Sequence, residues 1–317
     1  MKILIYGFGR MGLTHFSILN GLNPDHNFSV IEPNKILRSI LKKNIKAKFY
    51  ADDSTLKDSF DITLITTPPS IHLQLLEKSV RRGDKQIFVE KPFGGYTNIK
   101  LENISESSNI NIGYVLRFNP CIQWVKSNIN SQDIKSIHGQ YISNTIEKKP
   151  TGWRNGEFSG VLNEMGSHVI DLILYIVGND QIQVLSSKKE SIVSDIDDVV
   201  EATLKTKSDI FVSLYFNWVK KDIRKPIFGL EIEMKDGFKY SIDQQQINKY
   251  NINGKFIEKI AVTDLAKTVP FYLRGVDFTA QMLDLLGDRK IMADVNDALK
   301  VNILIDKIVN NEDNTGR

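Results

Sequence analysis

A lysine, a histidine and several carboxylates stand in this chain at spacings that suit proton transfer. The stretch QIFVEKPFGG (86–95) opens as a short apolar strand and ends in Glu90 and Lys91, directly before Pro92. Proline has no N–H to donate, so ladder pairing stops there. A carboxylate and an ammonium are thus presented where a strand leaves its sheet, either as a surface ion pair or as working groups. A second set lies in GVLNEMGSHVIDLILYIVG (160–178). Val161, Met165, Val169, Leu172 and Ile176 repeat at helical spacing, and Leu162, Ile170, Ile173 and Val177 widen the apolar surface. Glu164, His168 and Asp171 are four and three residues apart, so they share one stripe. Spacing leaves two readings of that stripe open: a solvent face, or the lining of a cleft. In a cleft, an imidazole that titrates near neutral pH would serve as acid or base.

The third set binds rather than reacts. YGFGRMG (6–12) is G-x-G-x-x-G, placed directly after an apolar run and at the start of a helical pattern, the context such a fingerprint requires. Gly7 permits the tight turn, Gly9 lets a pyrophosphate approach the backbone, and Gly12 lets the helix pack close to the strand. With Phe8, Arg10 and Met11 they form a helix N-terminus suited to phosphates. Glu32 ends the next apolar run, twenty residues past Gly12, where an acid accepts ribose hydroxyls and repels a 2′-phosphate. No arginine follows at once in Glu32-Pro33-Asn34-Lys35, so the expected cofactor is NAD rather than NADP, although Lys35 can reach a phosphate. TTPPSIH (66–72) is a rigid loop, with Pro68 and Pro69 restricting φ and Ser70 available as a cap. Thr66, Thr67 and Pro68 are expected to wall the ribose and nicotinamide. His72 is either a packed first-turn histidine or a cofactor contact.

The elements that must position these groups follow from periodicity. Apolar runs at 3–6, 28–31, 62–66, 87–89 and 111–115 alternate with helical patterns at 10–22, 34–43, 70–82 and 97–108. That alternation predicts an α/β fold, a doubly wound parallel sheet covered on both faces, with ligands at the carboxyl ends of its strands. Beyond residue 118 the pattern changes. A helix near 119–129, a strand within 136–147 and the helix at 160–178 precede strands at 181–187, 197–206, 209–219, 227–234, 237–242 and 246–250. Two helices close the chain at 271–286 and 293–310. Period-two alternation and the KDG turn at 235–237 predict a mostly antiparallel sheet. The expected domains are 1–118 and 119–317, the second an α+β domain on one large open sheet.

Composition narrows the function. Of 317 residues, 41% are hydrophobic and 25% charged, with a net charge of +3, ordinary globular values that give no basic tract for nucleic acid or an anionic membrane. The single cysteine, Cys121, cannot form an intrachain disulfide or a cysteine-based zinc site, and no metal is called for. No run approaches ~18 consecutive apolar residues, and the first apolar run is too short for a secretory signal, so a soluble cytoplasmic protein is expected.

Taken together, GFGRMG, Glu32, TTPPSIH, EKP, RFNP and GVLNEMGSHVID resemble the Gfo/Idh/MocA family of nicotinamide-dependent sugar and inositol oxidoreductases, over essentially the whole chain. The resemblance implies a Rossmann domain, then an α/β domain with an open, predominantly antiparallel sheet, and substrate bound between them. It implies a homodimer or homotetramer assembled through that sheet. It places Glu90 and Lys91 beside the cofactor, with Lys91 near the reacting hydroxyl and a lysine–proline bond that is often cis. His168 corresponds to the family's acid or base, and Glu164 to a position that usually carries Asp. Arg117 and Asn119 become candidates for substrate or hinge contacts, with an interdomain salt bridge as the other reading of Arg117. Trp153 and Arg154 match a Trp-Arg pair at the active-site entrance, where Trp153 packs on substrate or cofactor and Arg154 takes a carboxylate or phosphate. Loop packing is the plainer reading of both. Tyr272 and Arg274 are further candidates for the same cleft.

The reaction this implies is hydride exchange between NAD and a secondary alcohol of a sugar, cyclitol or nucleotide-linked sugar. His168 would act as base, Lys91 would stabilise the alkoxide, and Glu164 or Asp171 would orient the pair. The cluster of Arg117, Arg154 and Arg274 favours a substrate bearing phosphate or carboxylate, and RFNP is similar to members tied to surface-polysaccharide sugars. The rivals are an NAD-dependent glycosidase with no net NADH, and a non-catalytic NAD-binding regulator.

Overall fold

Short runs of Ile, Val, Leu and Phe, flanked by glycine turns, form strands buried on both faces in the first third of the chain. The computed structural model describes residues 1–93, 109–156, 158–178, 180–265 and 275–311. In chain order the strands are β1 (Lys2–Tyr6), β2 (Asn27–Ile31), β3 (Lys48–Tyr50), β4 (Ile62–Ile65), β5 (Gln86–Val89), β6 (Asn109–Ile112), β7 (Ile134–Ile142), β8 (Ile182–Glu190), β9 (Val199–Thr206), β10 (Phe211–Asn217), β11 (Ile227–Met234), β12 (Lys239–Ile242), β13 (Gln246–Tyr250) and β14 (Phe256–Ala261). The helices are α1 (Arg10–Leu22), α2 (Lys35–Asn44), α3 (His72–Arg82), α4 (Pro120–Asn128), α5 (Ser167–Val177), α6 (Val262–Leu265), α7 (Val276–Leu286) and α8 (Val295–Asn310).

The first six strands form one parallel sheet in the order β3-β2-β1-β4-β5-β6. Strand order reverses at β1, so the carboxyl ends of β1 and β4 frame the crevice where such sheets bind ligands. Ile3, Leu4, Ile5, Ile62, Leu64, Ile65, Ile87, Phe88 and Val89 are all fully buried, which explains the continuous apolar runs. β3 was not anticipated, because three residues with only Phe49 buried carry no periodic signal. The expected helix at 97–108 lies outside the described residues.

Eight strands form the second sheet, in the order β14-β13-β12-β11-β7-β10-β9-β8. Every neighbouring pair is antiparallel except β7 and β10, which run parallel. α5 lies against one face. Gly139 on β7 makes room for it, since a Cβ there would stand 2.6 Å from Val169 Cγ1 and 3.2 Å from Ile173 Cδ1. The helix expected over 160–178 is in two parts, a π-helical turn at Leu162–Gly166 and then α5. β14 also escaped the sequence reading, because its side chains are exposed or half-buried and show no alternation.

The expected domains are 1–118 and 119–317, and the described chain packs as two compact units. One compact unit is Met1–Tyr114 with Val269–Ala298, and the other is Val115–Thr268 with Leu299–Arg317. Two contacts bring the late stretch back to the first unit. α7 packs along α1, and the Ile112 N–H donates to the Ala293 carbonyl at 2.8 Å, extending the β6 edge by one bridge.

The Gly139 contact yields a test. Gly139→Val inserts an isopropyl group where α5 already touches β7, and overpacking of this kind costs about 1–3 kcal/mol. Urea denaturation should show a loss of unfolding free energy of that size, read as a lowered midpoint; an unchanged midpoint would mean that α5 is not seated on Gly139.

Candidate functional site

At the end of β1 the chain turns at Gly7, whose φ of +81° favours glycine. The Gly7 N–H donates to the Ile31 carbonyl at 2.9 Å, and the Thr66 hydroxyl bridges the Tyr6 and Gly7 carbonyls at 2.9 and 2.8 Å. A Cβ on Gly12 would meet the Gly7 carbonyl oxygen at 2.2 Å, so only glycine lets α1 start this close. A Cβ on Gly9 would meet nothing within 4 Å, and no side chain caps α1 at Gly9. The turn is therefore tight beneath and open above, as a pyrophosphate site at a helix N-terminus requires. Glu32 closes the cradle. Its Oε2 accepts the Phe8 N–H at 3.2 Å and its Oε1 the Asn34 N–H at 2.9 Å, which fixes the carboxylate at the end of β2. Arg38 folds back to donate to the Glu32 and Pro33 carbonyls at 2.5 and 3.0 Å. The residues present thus fit a dinucleotide with unmodified ribose hydroxyls. Phe8 adds only its backbone, because its ring is buried edge-on against Phe16 and Phe49.

The next strand ends supply the rest of this half. Thr67, half-buried, carries a buried hydroxyl with no hydrogen-bond partner among the described residues, the kind of group a bound ligand would satisfy. His72 is fully buried, and its Nε2 sits 2.8 Å from the Thr67 carbonyl. Burial holds its pKa below the usual histidine range, against the opposing pull of the Thr67 carbonyl, the Glu90 charge and the Pro92 backbone. Lys91 is half-buried at the carboxyl end of β5, and the Lys91–Pro92 peptide is cis. Glu90 turns inward, with Oε1 2.6 Å from His15 Nε2.

In the second unit the helical stripe divides. Glu164, on the π-helical turn, accepts the Ser159 hydroxyl at 2.9 Å and Arg154 Nε at 3.2 Å. Arg154 also lies 5.1 Å from the centre of the Trp153 ring, and Trp153 is 43% exposed. His168 is half-buried at the start of α5. Asp171, three residues on, is committed elsewhere: Arg117 grips it through Nε and Nη2 at 2.6–3.1 Å, with both partners buried. Arg117 also stacks over Tyr175, and the Gln123 amide donates to its carbonyl. This pair lies within the second unit. Asn119 caps α4 through the Cys121 N–H at 2.9 Å and donates to the Gln244 carbonyl at 3.1 Å, which accounts for it structurally. Tyr272 and Arg274 lie outside the described residues.

Family comparison decides the identity of this assembly. Residues 1–106 match the model of the oxidoreductase family with an NAD-binding Rossmann fold, and residues 132–233 match that of the GFO/IDH/MocA C-terminal domain. The chain belongs to the Gfo/Idh/MocA family. Like its family, the protein is an NAD-binding oxidoreductase. No curated protein matches it by sequence. Among solved structures, a levoglucosan dehydrogenase in complex with NADH and levoglucosan superposes with a TM-score of 0.81 at 16% identity, covering 98% of this chain and 96% of that one. An oxidoreductase domain protein from Kribbella flavida gives 0.80 at 17% identity over 97% and 95%. A UDP-N-acetylglucosamine 3-dehydrogenase from Acidithiobacillus ferrooxidans gives 0.78 at 17% identity over 98% and 96%. At these identities the likeness establishes the shared fold.

Several residues that hold this Gfo/Idh/MocA site carry little sequence signal. Asp197, half-buried, accepts the Leu162 N–H at 2.8 Å through its side chain and the Val161 N–H through its carbonyl, anchoring the start of the π-helical turn. Gly160, with φ +103°, leaves space for that carboxylate, since a Cβ would lie 2.2 Å from Oδ1. Nothing local marks Asp197, because its partners are 35 residues away. His15 is more legible in retrospect, as a polar residue on the buried face of α1.

Two predictions follow from this geometry. Replacing Glu32 with Ala removes the carboxylate expected to meet the ribose, at about 1.5–3 kcal/mol for a charged hydrogen bond. The ratio of NADPH to NADH dissociation constants, titrated by fluorescence in the same variant, should fall at least about tenfold. An unchanged ratio would exclude Glu32 as the discriminator. The second concerns Asp197, whose pKa burial pushes up to about 6 from 3.8. The folded state then binds this proton more tightly than the unfolded chain, so the residue's contribution to stability falls as pH rises from ~4 to ~6. Asp197→Asn keeps an acceptor for Leu162 and removes the ionisation. It should flatten that decline and stabilise the protein at neutral pH by on the order of 1–3 kcal/mol in denaturant titrations across pH.

Proposed function

We propose that the protein is an NAD-dependent dehydrogenase acting on a secondary alcohol of a sugar, a cyclitol or a nucleotide-linked sugar. The observation that carries this reading is Lys91, held at the carboxyl end of β5 on the same strand-end edge as the glycine turn and the Thr66–Thr67 loop. The solved relatives named above include dehydrogenases of levoglucosan and of UDP-N-acetylglucosamine, and the proposed substrate class extends from them.

NAD, when bound, supplies the hydride acceptor, or the donor in the reverse direction. In this reading His168 takes the hydroxyl proton, since an imidazole is poised near neutral pH. Lys91 donates to the substrate oxygen and stabilises its developing negative charge. Glu164, held by Ser159 and Arg154, faces the substrate hydroxyls as the longer equivalent of the family's aspartate. Asp171 acts one step back, holding α5 through Arg117. Exposed Trp153, with Arg154 stacked on it, offers a flat apolar surface for a sugar ring beside a cation for a phosphate or carboxylate. The second sheet is the proposed face for self-association into dimers or tetramers, with Leu185, Phe211 and Ile227 exposed on its strands. Among the described residues no helix is long and apolar enough to cross a membrane, and the cytoplasm, where NAD is plentiful, is the proposed location.

The test is NADH formation with NAD and a panel of sugars, cyclitols and nucleotide sugars, with aglycone release from aryl glycosides followed in parallel. NADH growth on one class is expected. Aglycone release without NADH would overturn the dehydrogenase in favour of a hydrolase. With the substrate in hand, Lys91→Ala should lower kcat by about 10²–10⁴-fold with NADH affinity retained. Near-normal turnover would remove Lys91 from the chemistry.

A further inference from the structure

A fully buried histidine on α1 meets the carboxylate that precedes Lys91. His15 lies three residues past Gly12, and its Nε2 is 2.6 Å from Glu90 Oε1. The imidazole is set edge-on to Phe88, with ring centres 5.1 Å apart, and Phe278 of α7 lies 6.4 Å away. Its Nδ1 has no hydrogen-bond partner among the described residues, so the proton sits on Nε2 and is donated to the carboxylate. The other oxygen of Glu90 accepts the Lys91 backbone N–H at 3.3 Å. A Cβ on Gly113, just past β6, would stand 3.0 Å from that same oxygen, so the carboxylate is boxed in on this side as well. Glu90 is 8% exposed. A buried carboxylate held by a charge-assisted hydrogen bond keeps one orientation, and a buried carboxylate stripped of it turns toward water or takes up a proton.

We propose that His15 is a positioning residue for Lys91: it locks Glu90 in the orientation that ties down the Lys91 peptide N–H, and so sets where the Lys91 ammonium points. The functional consequence rests on the role proposed above for Lys91; the geometric one does not. Without His15, Glu90 releases the Lys91 peptide, and the ammonium samples positions away from the reacting oxygen. A displacement of that kind, remote from the chemistry, costs about 10²-fold in rate.

The experiment uses the full chain and four variants: His15→Leu, His15→Gln, Glu90→Gln and the His15→Leu/Glu90→Gln double variant. The first readout is the acylation rate of the Lys91 amine by a small amine-reactive reagent, followed by mass spectrometry with Lys78 as internal reference. It needs neither substrate nor turnover, so it stands even if the dehydrogenase reading fails. His15→Leu is expected to change the Lys91 rate several-fold, His15→Gln to restore it, and His15→Leu to add little once Glu90 is Gln. Where turnover is measurable, kcat falls about 10²-fold in His15→Leu with the KM for NAD unchanged. An unaltered Lys91 rate in a folded His15→Leu protein overturns the proposal, as do fully additive effects of His15→Leu and Glu90→Gln. If His15→Leu does not fold, His15→Asn, too short to reach Glu90, takes its place with the same expected and overturning results.

Discussion

A methyl group at Gly12 would lie 2.2 Å from the Gly7 carbonyl oxygen, and the space left by its absence sets how closely α1 approaches the end of β1. Much of the first unit depends on that approach. It presents the helix N-terminus above the turn, where Gly9 leaves room for phosphates. It also seats the buried face of α1, with Phe16, Ile18 and Leu19, on the sheet. His15 is on that face, so the distance that suits a pyrophosphate also delivers an imidazole to Glu90. One steric constraint thereby links the cofactor cradle to the turn that carries Lys91.

Four carboxylates of the two units share a second constraint. Glu32 is held by two backbone amides, Glu90 by His15, Glu164 by Ser159 and Arg154, and Asp171 by Arg117. Each is buried, and a buried charge is tolerable only with partners of good geometry. Those partners give each carboxylate a fixed direction, which is what hydride and proton transfer require of their surroundings. Asp197 is the exception: desolvation dominates, and its pKa rises. It anchors the backbone at the start of the π-helical turn, so its neutral form serves that purpose at less cost.

The two halves of the stripe at 164–171 show how tertiary contacts sort residues that look alike in sequence. Glu164 and Asp171 are both acids on the stripe of His168, one on each side of it. Glu164 meets a half-exposed arginine on a loop. Asp171 meets a buried arginine stacked on Tyr175 and becomes part of the core of its unit. No property of the stripe itself distinguishes them.

The amino-acid sequence by itself determined the parallel sheet, the second and largely antiparallel sheet, the glycine turn with its acid at Glu32, and the lysine before Pro92. These are short-range facts: strand alternation, G-x-G-x-x-G after a strand, and a proline that stops a ladder each act over a few neighbouring residues. The tertiary structure alone decided the remainder. It added β3 and β14, which are too short or too exposed to show a period, and it paired β7 with β10 in parallel inside an otherwise antiparallel sheet. It brought α7 back to α1, turned Glu90 inward to His15, closed Arg117 on Asp171 and put Asp197 under the helix that carries His168. The hydrogen bond of His15 with Glu90 joins residues 75 positions apart, and the packing of α7 on α1 spans most of the chain. Whether a charged residue faces substrate or an opposite charge depends on what the fold packs against it, and local spacing holds no record of that.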